Sequence, residues 1–176
     1  NSAGTTGLDE RSYGLAVGGQ RVTDGGLIFG GYVRGEDVTL SGDGLQQTGA
    51  RFTFGAIAKH QAGPLTYSLS AAYGHQSMDQ VRTYTVNGTP YAATADVTGE
   101  VFSADARVSY VQDFATSYLR WELGLGVYHS SQDGFTETGT GSMNWSVGES
   151  SQTDVILRPS VEFGRSFGSE IEKSRI

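Results

Sequence analysis

The chain has 176 residues, no cysteine, and a formal net charge of -7 from 12 Lys and Arg against 19 Asp and Glu. That balance argues against a nucleic-acid partner, which needs a basic surface, and the missing cysteines exclude disulfide frameworks and thiolate metal sites. Mean hydropathy is -0.30, and no run approaches the roughly 18 consecutive apolar residues of a membrane-spanning helix. Gly numbers 26, about twice the usual ~7% share, while Pro numbers only 3, so the chain is not a Pro/Gly-rich disordered tract. The segment Asn1–Thr6 lacks a basic and apolar leader, so a cytosolic or already processed chain is expected.

Alternation of period two dominates the remainder and predicts seven strands with no amphipathic helix. Tyr13–Arg21 and Leu27–Asp37 are weak, Gly-rich members of the series. Ala50–His60 sets Phe52, Phe54, Ala56 and Ala58 against Arg51, Thr53, Gly55 and Lys59, with Ile57 the one intruder. Leu65–Gln76 sets Leu65, Tyr67, Leu69, Ala71 and Tyr73 against Thr66, Ser68, Ser70 and Gly74. In Val101–Phe114 the even positions are nearly all apolar, while the odd ones carry Asp105, Arg107 and Asp113. Tyr118–Ser130 and Asp154–Phe167 repeat the pattern with Leu119, Trp121, Leu123 and Leu125, then Val155, Leu157, Val161 and Phe163.

The connections alternate in length. Short turns are expected at Val22–Gly26, Gln61–Pro64 and Asp113–Ser117, and long polar connections at Glu36–Gly49, Ser77–Glu100 and Ser131–Thr153. Tight turns on one side and long loops on the other are the grammar of a bacterial outer-membrane barrel. Within the second long connection, Asn87-Gly88 between β-prone flanks is a type I′ hairpin signal, so the sheet could continue beyond the bilayer there.

A soluble β-sandwich also alternates, with its apolar face on a core. Two features favour a membrane barrel. Soluble strands mostly run about 3–10 residues, whereas Val101–Phe114 and Tyr118–Ser130 are longer. Aromatic residues also gather near strand ends, Tyr67, Phe114, Trp121 and Phe167 by the short turns and Tyr73 and Phe102 by the long connections. Two such girdles fit the two interfaces of a lipid-facing wall. On this reading Arg51, Lys59, Asp105, Arg107, Arg120, Glu122, Arg158 and Glu162 share the face that lines a wet lumen, where a cross-strand ion network and contact with a translocating segment are both open. Arg165 lies on the apolar parity near a strand end, from which it can snorkel to the interface.

Catalytic signals are weak. His75, Ser77 and Asp79 share a parity but fall where a strand is expected to meet a long loop. His60, His75 and His129 lack metal-ligand spacing. Glu36, Asp37 and Asp43 do not have the spacing of an EF-hand loop. Gly124-Leu125-Gly126 lies inside a strand, with no strand-to-helix turn to hold a phosphate.

Tyr13–Gly19 followed by Asp24–Tyr32 resembles the early hairpin of the autotransporter β-domain, the outer-membrane translocator of type V secretion. Gly55–Lys59 and Ala71–His75 resemble the next hairpin, and Arg82 together with Asp133–Gly139 resembles family usage in the later loops. The similarity runs from about Tyr13 to Gly168 and lies in the ordered series rather than in any one motif. The resemblance implies an all-β, antiparallel up-and-down transmembrane barrel, or a fragment of one, with one domain over 1–176: a polar segment 1–11, strands over 12–168 and a polar tail 169–176. Its seven strands align with strands two to eight of a twelve-strand barrel; the first strand, the pore helix and about four last strands have no counterpart, and the tail lacks the usual terminal aromatic. The implied function is to anchor an N-terminal passenger and help export it, in the bacterial outer membrane, without enzymatic activity, cofactor or metal. Implied partners are outer-membrane lipid, a passenger segment in the lumen and the barrel-assembly machinery during insertion. A porin-like or adhesin-type barrel, binding partners through its long loops, and a soluble β-sandwich binding module are the alternatives.

Overall fold

The computed structural model describes residues 9–165. Six long strands follow one another, β1 (Asp9–Val22), β2 (Leu27–Gly42), β3 (Leu45–Ala62), β4 (Leu65–Val86), β5 (Thr89–Asp113) and β6 (Ser117–Gln132). A short pair, β7 (Phe135–Thr136) and β8 (Ser146–Val147), flanks a 3-10 turn at Gly141–Met143, and β9 (Ser150–Arg165) closes the series. The long strands form one 7-stranded antiparallel meander in the order β1-β2-β3-β4-β5-β6-β9. β1 and β9 are edges among the described residues. Pro159, which has no N–H for a ladder, sits in the edge strand β9.

The seven expected strands are all present, but two of the three expected long connections are not loops. β2 and β3 continue through Glu36–Gly49 to a two-residue turn at Asp43-Gly44, where Gly44 has φ 75. β4 and β5 continue through Ser77–Glu100 to Asn87-Gly88, whose φ values of 51 and 81 fit the expected hairpin turn. Only the third connection is a loop, and it carries the β7–β8 pair. The lower turns fall where expected. At the β1–β2 turn the Thr23 hydroxyl accepts the Leu27 N–H at 3.1 Å.

The register explains why the extensions escaped detection. Below them one face of the sheet is apolar, in rows such as Val33–Phe54–Tyr73–Phe102. Above them that same face becomes polar, in rows Asp37–Ala50–Ser77–Thr98 and Thr39–Thr48–Asp79–Asp96. The apolar residues cross to the opposite face, where Val38, Met78 and Val97 share the row that includes Gly49. They form the buried cluster of the described chain, with Leu40 and Phe135 packed against it. Alternation persists through each strand, but its phase inverts. A window that straddles the inversion therefore averages to nothing.

Among the described residues the lower apolar face has no second layer. Phe52 is 63% exposed, Leu69 57% and Val161 59%, with no sheet opposite them. A β-sandwich would bury these side chains. The other face is crowded by close approach: the Tyr32 ring lies over Gly55, leaving no room for a Cβ.

Candidate functional site

Two regions of the polar face gather interacting charged groups, a ladder on the lower strands and a covered pocket on the extensions. All eight charged residues expected on one face are placed there by the register. Arg158 on β9 donates to Asp105 on β5 at 2.7 Å, and Tyr128 on β6, lying between them, donates to both oxygens of Asp105 at 3.0 Å. Arg107 lies 3.5 Å from Glu122, and Arg120 donates to Glu162 at 3.0 Å. Higher up, Arg51 reaches Glu36 and Glu10, each at 3.4 Å, and donates to Gln76 at 3.3 Å. Arg34 also donates to Glu36. Lys59, near the β3–β4 turn, makes no ion pair among the described residues. The ladder thus joins strands that are not neighbours in sequence, β5 with β9 and β1 with β3. It keeps opposite charges paired on a face where Gly124 and Gly126 leave space for the long side chains.

The expected interface aromatics lie on the other face or at its ends. Tyr73 pairs with Phe102 across β4–β5 and lies 5.2 Å, ring centre to ring centre, from Phe54. Trp121 pairs with Tyr110, Tyr67 sits one row above that pair, and Phe114 is in the β5–β6 turn. Phe167 lies outside the described residues. From the Phe102 row to the Tyr110–Trp121 row is about 26 Å along the strand at ~3.3 Å per residue, or about 20 Å of height at a usual barrel tilt of 35–45°.

On the extensions, residues 133–149 fold back over the polar-face parity of β4 and β5 as a strap. Where β6 ends, the strap takes over the vacated edge of β5. Thr94 and Thr138 exchange backbone hydrogen bonds of 2.9 and 2.8 Å, and the Asp133 N–H donates to the Thr98 carbonyl at 3.0 Å. Glu137 then turns inward, its side chain wholly buried. Arg82 on β4 grips it with two donors, Nε to Oε1 at 2.8 Å and Nη2 to Oε2 at 2.5 Å. The Trp145 N–H adds a third bond at 2.9 Å, and Gln80 reaches it at 3.5 Å. The Arg82 guanidinium lies between two rings, 4.5 Å from the centre of Tyr84 and 4.0 Å from that of Trp145. The hydrogen bond from Arg82 holds the Glu137 carboxyl below the usual carboxylate range, against the upward push of burial and with help from the Trp145 N–H. Glu137 in turn raises Arg82 above its ordinary value.

Arg82 and Asp133–Gly139 were expected as loop features of the family; Arg82 instead lies inside β4, and its pairing with Glu137 was not legible from spacing. The signal that could have exposed it is the inverted parity of Val38, Met78 and Val97, which demands a cover on the polar face. The other chemical candidates do not converge. His75, Ser77 and Asp79 run along one face of β4, within a strand rather than at a loop, and His75 lies 3.8 Å from Glu100. Glu36 points to the polar face, Asp37 to the opposite one, and Asp43 sits in a turn. His129 contacts Thr153 at 2.8 Å, far along the sheet from His60.

A long-stranded antiparallel meander with an uncovered apolar face, a charged face and aromatic ends is the wall of an outer-membrane β-barrel. The chain belongs to the autotransporter β-domain family, whose model matches residues 1–174. It is also similar in fold to the translocator domain of the autotransporter NalP from Neisseria meningitidis, with a TM-score of 0.73 and 18% sequence identity over 92% of this chain and 56% of that one. The chain therefore spans just over half the length of that solved domain. No curated protein matches it at a significant level.

Proposed function

We propose that these strands form part of an outer-membrane barrel wall that anchors an N-terminal passenger and helps it to the cell surface. The observation that carries the membrane facing is the phase inversion: one face is apolar only over the lower strands and polar above them, as it must be where the outside medium changes from hydrocarbon to water. Phe54, Leu69, Ala106, Leu123 and Val161 then meet lipid, and Tyr67, Tyr73, Phe102, Phe114 and Trp121 lie at its two interfaces. Arg51, Lys59, Asp105, Arg107, Arg120, Glu122, Arg158 and Glu162 line the lumen, where charges of both signs, paired except at Lys59, keep the path wet for a passing polypeptide.

The two edges explain what else the wall needs. β1 and β9 run in the same direction, since an even number of antiparallel steps separates them. An all-antiparallel closure needs an odd number of further strands, and five would bring the total to the twelve implied by the family resemblance. Each unpaired backbone group in hydrocarbon costs several kcal/mol, so the edges are closed before or during insertion, which makes the barrel-assembly machinery a partner.

Comparison of Ala106→Arg with Ser109→Arg in the full-length protein tests the facing. Ala106 is on the apolar face, whereas Ser109 is on the polar face beside Glu122. Arginine on the lipid face near the midplane costs about 2–4 kcal/mol, so Ala106→Arg should cut the folded, heat-modifiable fraction in outer membranes sharply while Ser109→Arg is tolerated. Equal tolerance would reverse the assignment.

A further inference from the structure

The strap over residues 133–149 packs on the proposed lumen face, at the end remote from the β1–β2, β3–β4 and β5–β6 turns. It spans the inner side of several strands at once: Phe135 reaches the Val38–Met78–Val97 cluster, and Glu137 reaches Arg82 and Gln80. Its attachment is unusual in kind. The strap's regular structure amounts to two 2-residue strands and one turn of 3-10 helix. Its fully buried side chain is a carboxylate rather than an apolar group. A fixed cap is secured at least as well by apolar packing, because replacing a buried ion pair with well-packed hydrophobes is often neutral or stabilising. A charged latch differs in being all-or-none: it holds only in one geometry and leaves the wall intact when released. Gly134 and Gly148 stand at the two ends of the strap, and Gly148 has open space around it. Gly139 and Gly141, with φ 104 and 63, shape its middle.

We propose that residues 133–149 are a lid on the extracellular mouth of the lumen, shut by Glu137 on Arg82 and swinging outward on its glycine-bearing ends when a polypeptide passes. The proposal rests on the transport reading above. The lid and the passenger path can nevertheless fail separately.

A reversible lock tests it. Thr94 and Thr138 are directly opposed, with hydroxyl oxygens 3.2 Å apart, and the chain has no native cysteine to interfere. In the full-length protein, Thr94→Cys with Thr138→Cys should form a disulfide when oxidised; failure to form it would show that the closed position is wrong and overturn the lid. In planar bilayers the reduced pair should gate between conductance levels and the oxidised pair should stay in the low one, while Glu137→Gln should raise open occupancy at least tenfold. Identical gating in oxidised and reduced protein would overturn the lid. In cells, surface-exposed passenger should fall at least tenfold in the oxidised pair and recover under reduction, with each single cysteine variant normal. Normal display from the locked barrel would overturn passage beneath the lid. Loss of display in every form, unmutated protein included, with gating still lock-dependent, would sink the transport reading and leave the lid standing.

Discussion

The lower strands and their extensions are made by the same chain segments in the same register, yet they solve opposite problems. Below, β2 to β5 turn Val33, Phe54, Tyr73 and Phe102 outward and Glu36, Arg51, Asp105 and Arg107 inward. A few residues further up the sheet the same strands turn Thr39, Thr48, Asp79 and Asp96 to the outward side and Val38, Met78 and Val97 inward. A pleated strand cannot rotate its side chains to suit, so the sequence must shift its apolar positions by one. The shift falls between the Tyr73–Phe102 row and the Met78–Val97 row. On the facing proposed above, it reports two changes of medium at one level: outside, hydrocarbon gives way to water; inside, a wet, ion-paired surface gives way to a small core beneath the strap.

The largest effect expected from breaking this arrangement is in the upper region. Arg82→Met leaves the buried Glu137 without its partner, a loss of about 3–5 kcal/mol by the usual cost of stranding a buried charge. The strap should open while the lower sheet stays folded. Hydrogen exchange at the Trp145 and Glu137 amides should accelerate by orders of magnitude, with β4 amides near Leu69 unchanged. Acid should do the same to the unmutated chain. Because Glu137 titrates below its usual range in the folded state, the latch contributes its full stability above the ordinary carboxylate pKa and loses it as pH falls through the lowered value. The charged and titratable groups facing it are Arg82 and Tyr84 from β4, with Asp133 held off by Thr98 of β5. Glu137→Gln should remove this pH dependence; a strap equally acid-labile in that variant would place the sensor elsewhere.

How much of this was legible beforehand follows from the same inversion. The lower strands announced themselves because lipid-facing and lumen-facing positions differ strongly in polarity, as in Val101–Phe114. Their charged partners were legible as a shared face, but not as pairs: that Arg158 bonds Asp105 across β6 depends on Gly126 leaving room and Tyr128 filling it. The extensions were hidden, apart from the Asn87-Gly88 turn, because Thr, Ser and Gln on the watery side carry little contrast with a core as small as Val38, Met78 and Val97. Glu137 was invisible for a different reason. Its partner lies 55 positions away, and only the fold of residues 133–149 brings it back onto β4.

A second way to break the comparison uses one face and two heights. Thr48 and Ala106 have the same outward facing, but Thr48 is on the extension, beside Thr39 and opposite Asp79. Thr48→Arg should change stability by no more than about 0.5 kcal/mol, as for an ordinary surface position, and the new cation can pair with Asp79. Ala106→Arg, on the lower apolar face, carries the membrane penalty already given. Assembly measured for the two side by side reads out where the hydrocarbon ends; similar damage from both would mean that the outward medium does not change between those rows.

The smallest effect is expected in the ladder itself. Arg107 and Glu122 are 3.5 Å apart, with side chains 49% and 28% exposed. Solvent screens such a pair, and pairs of this kind contribute about 0–1 kcal/mol. Arg107→Gln should therefore leave heat-modifiable assembly nearly unchanged, and raising salt should cost the unmutated barrel little. What should change is the field seen by an ion in the lumen, because the substitution removes one positive charge and leaves Glu122 without its ion-pair partner. The cation preference of the pore in bilayers should rise, most clearly at low ionic strength where screening is weakest. An unchanged preference would put Arg107 and Glu122 outside the conducting path, and with them the lower polar face as a whole.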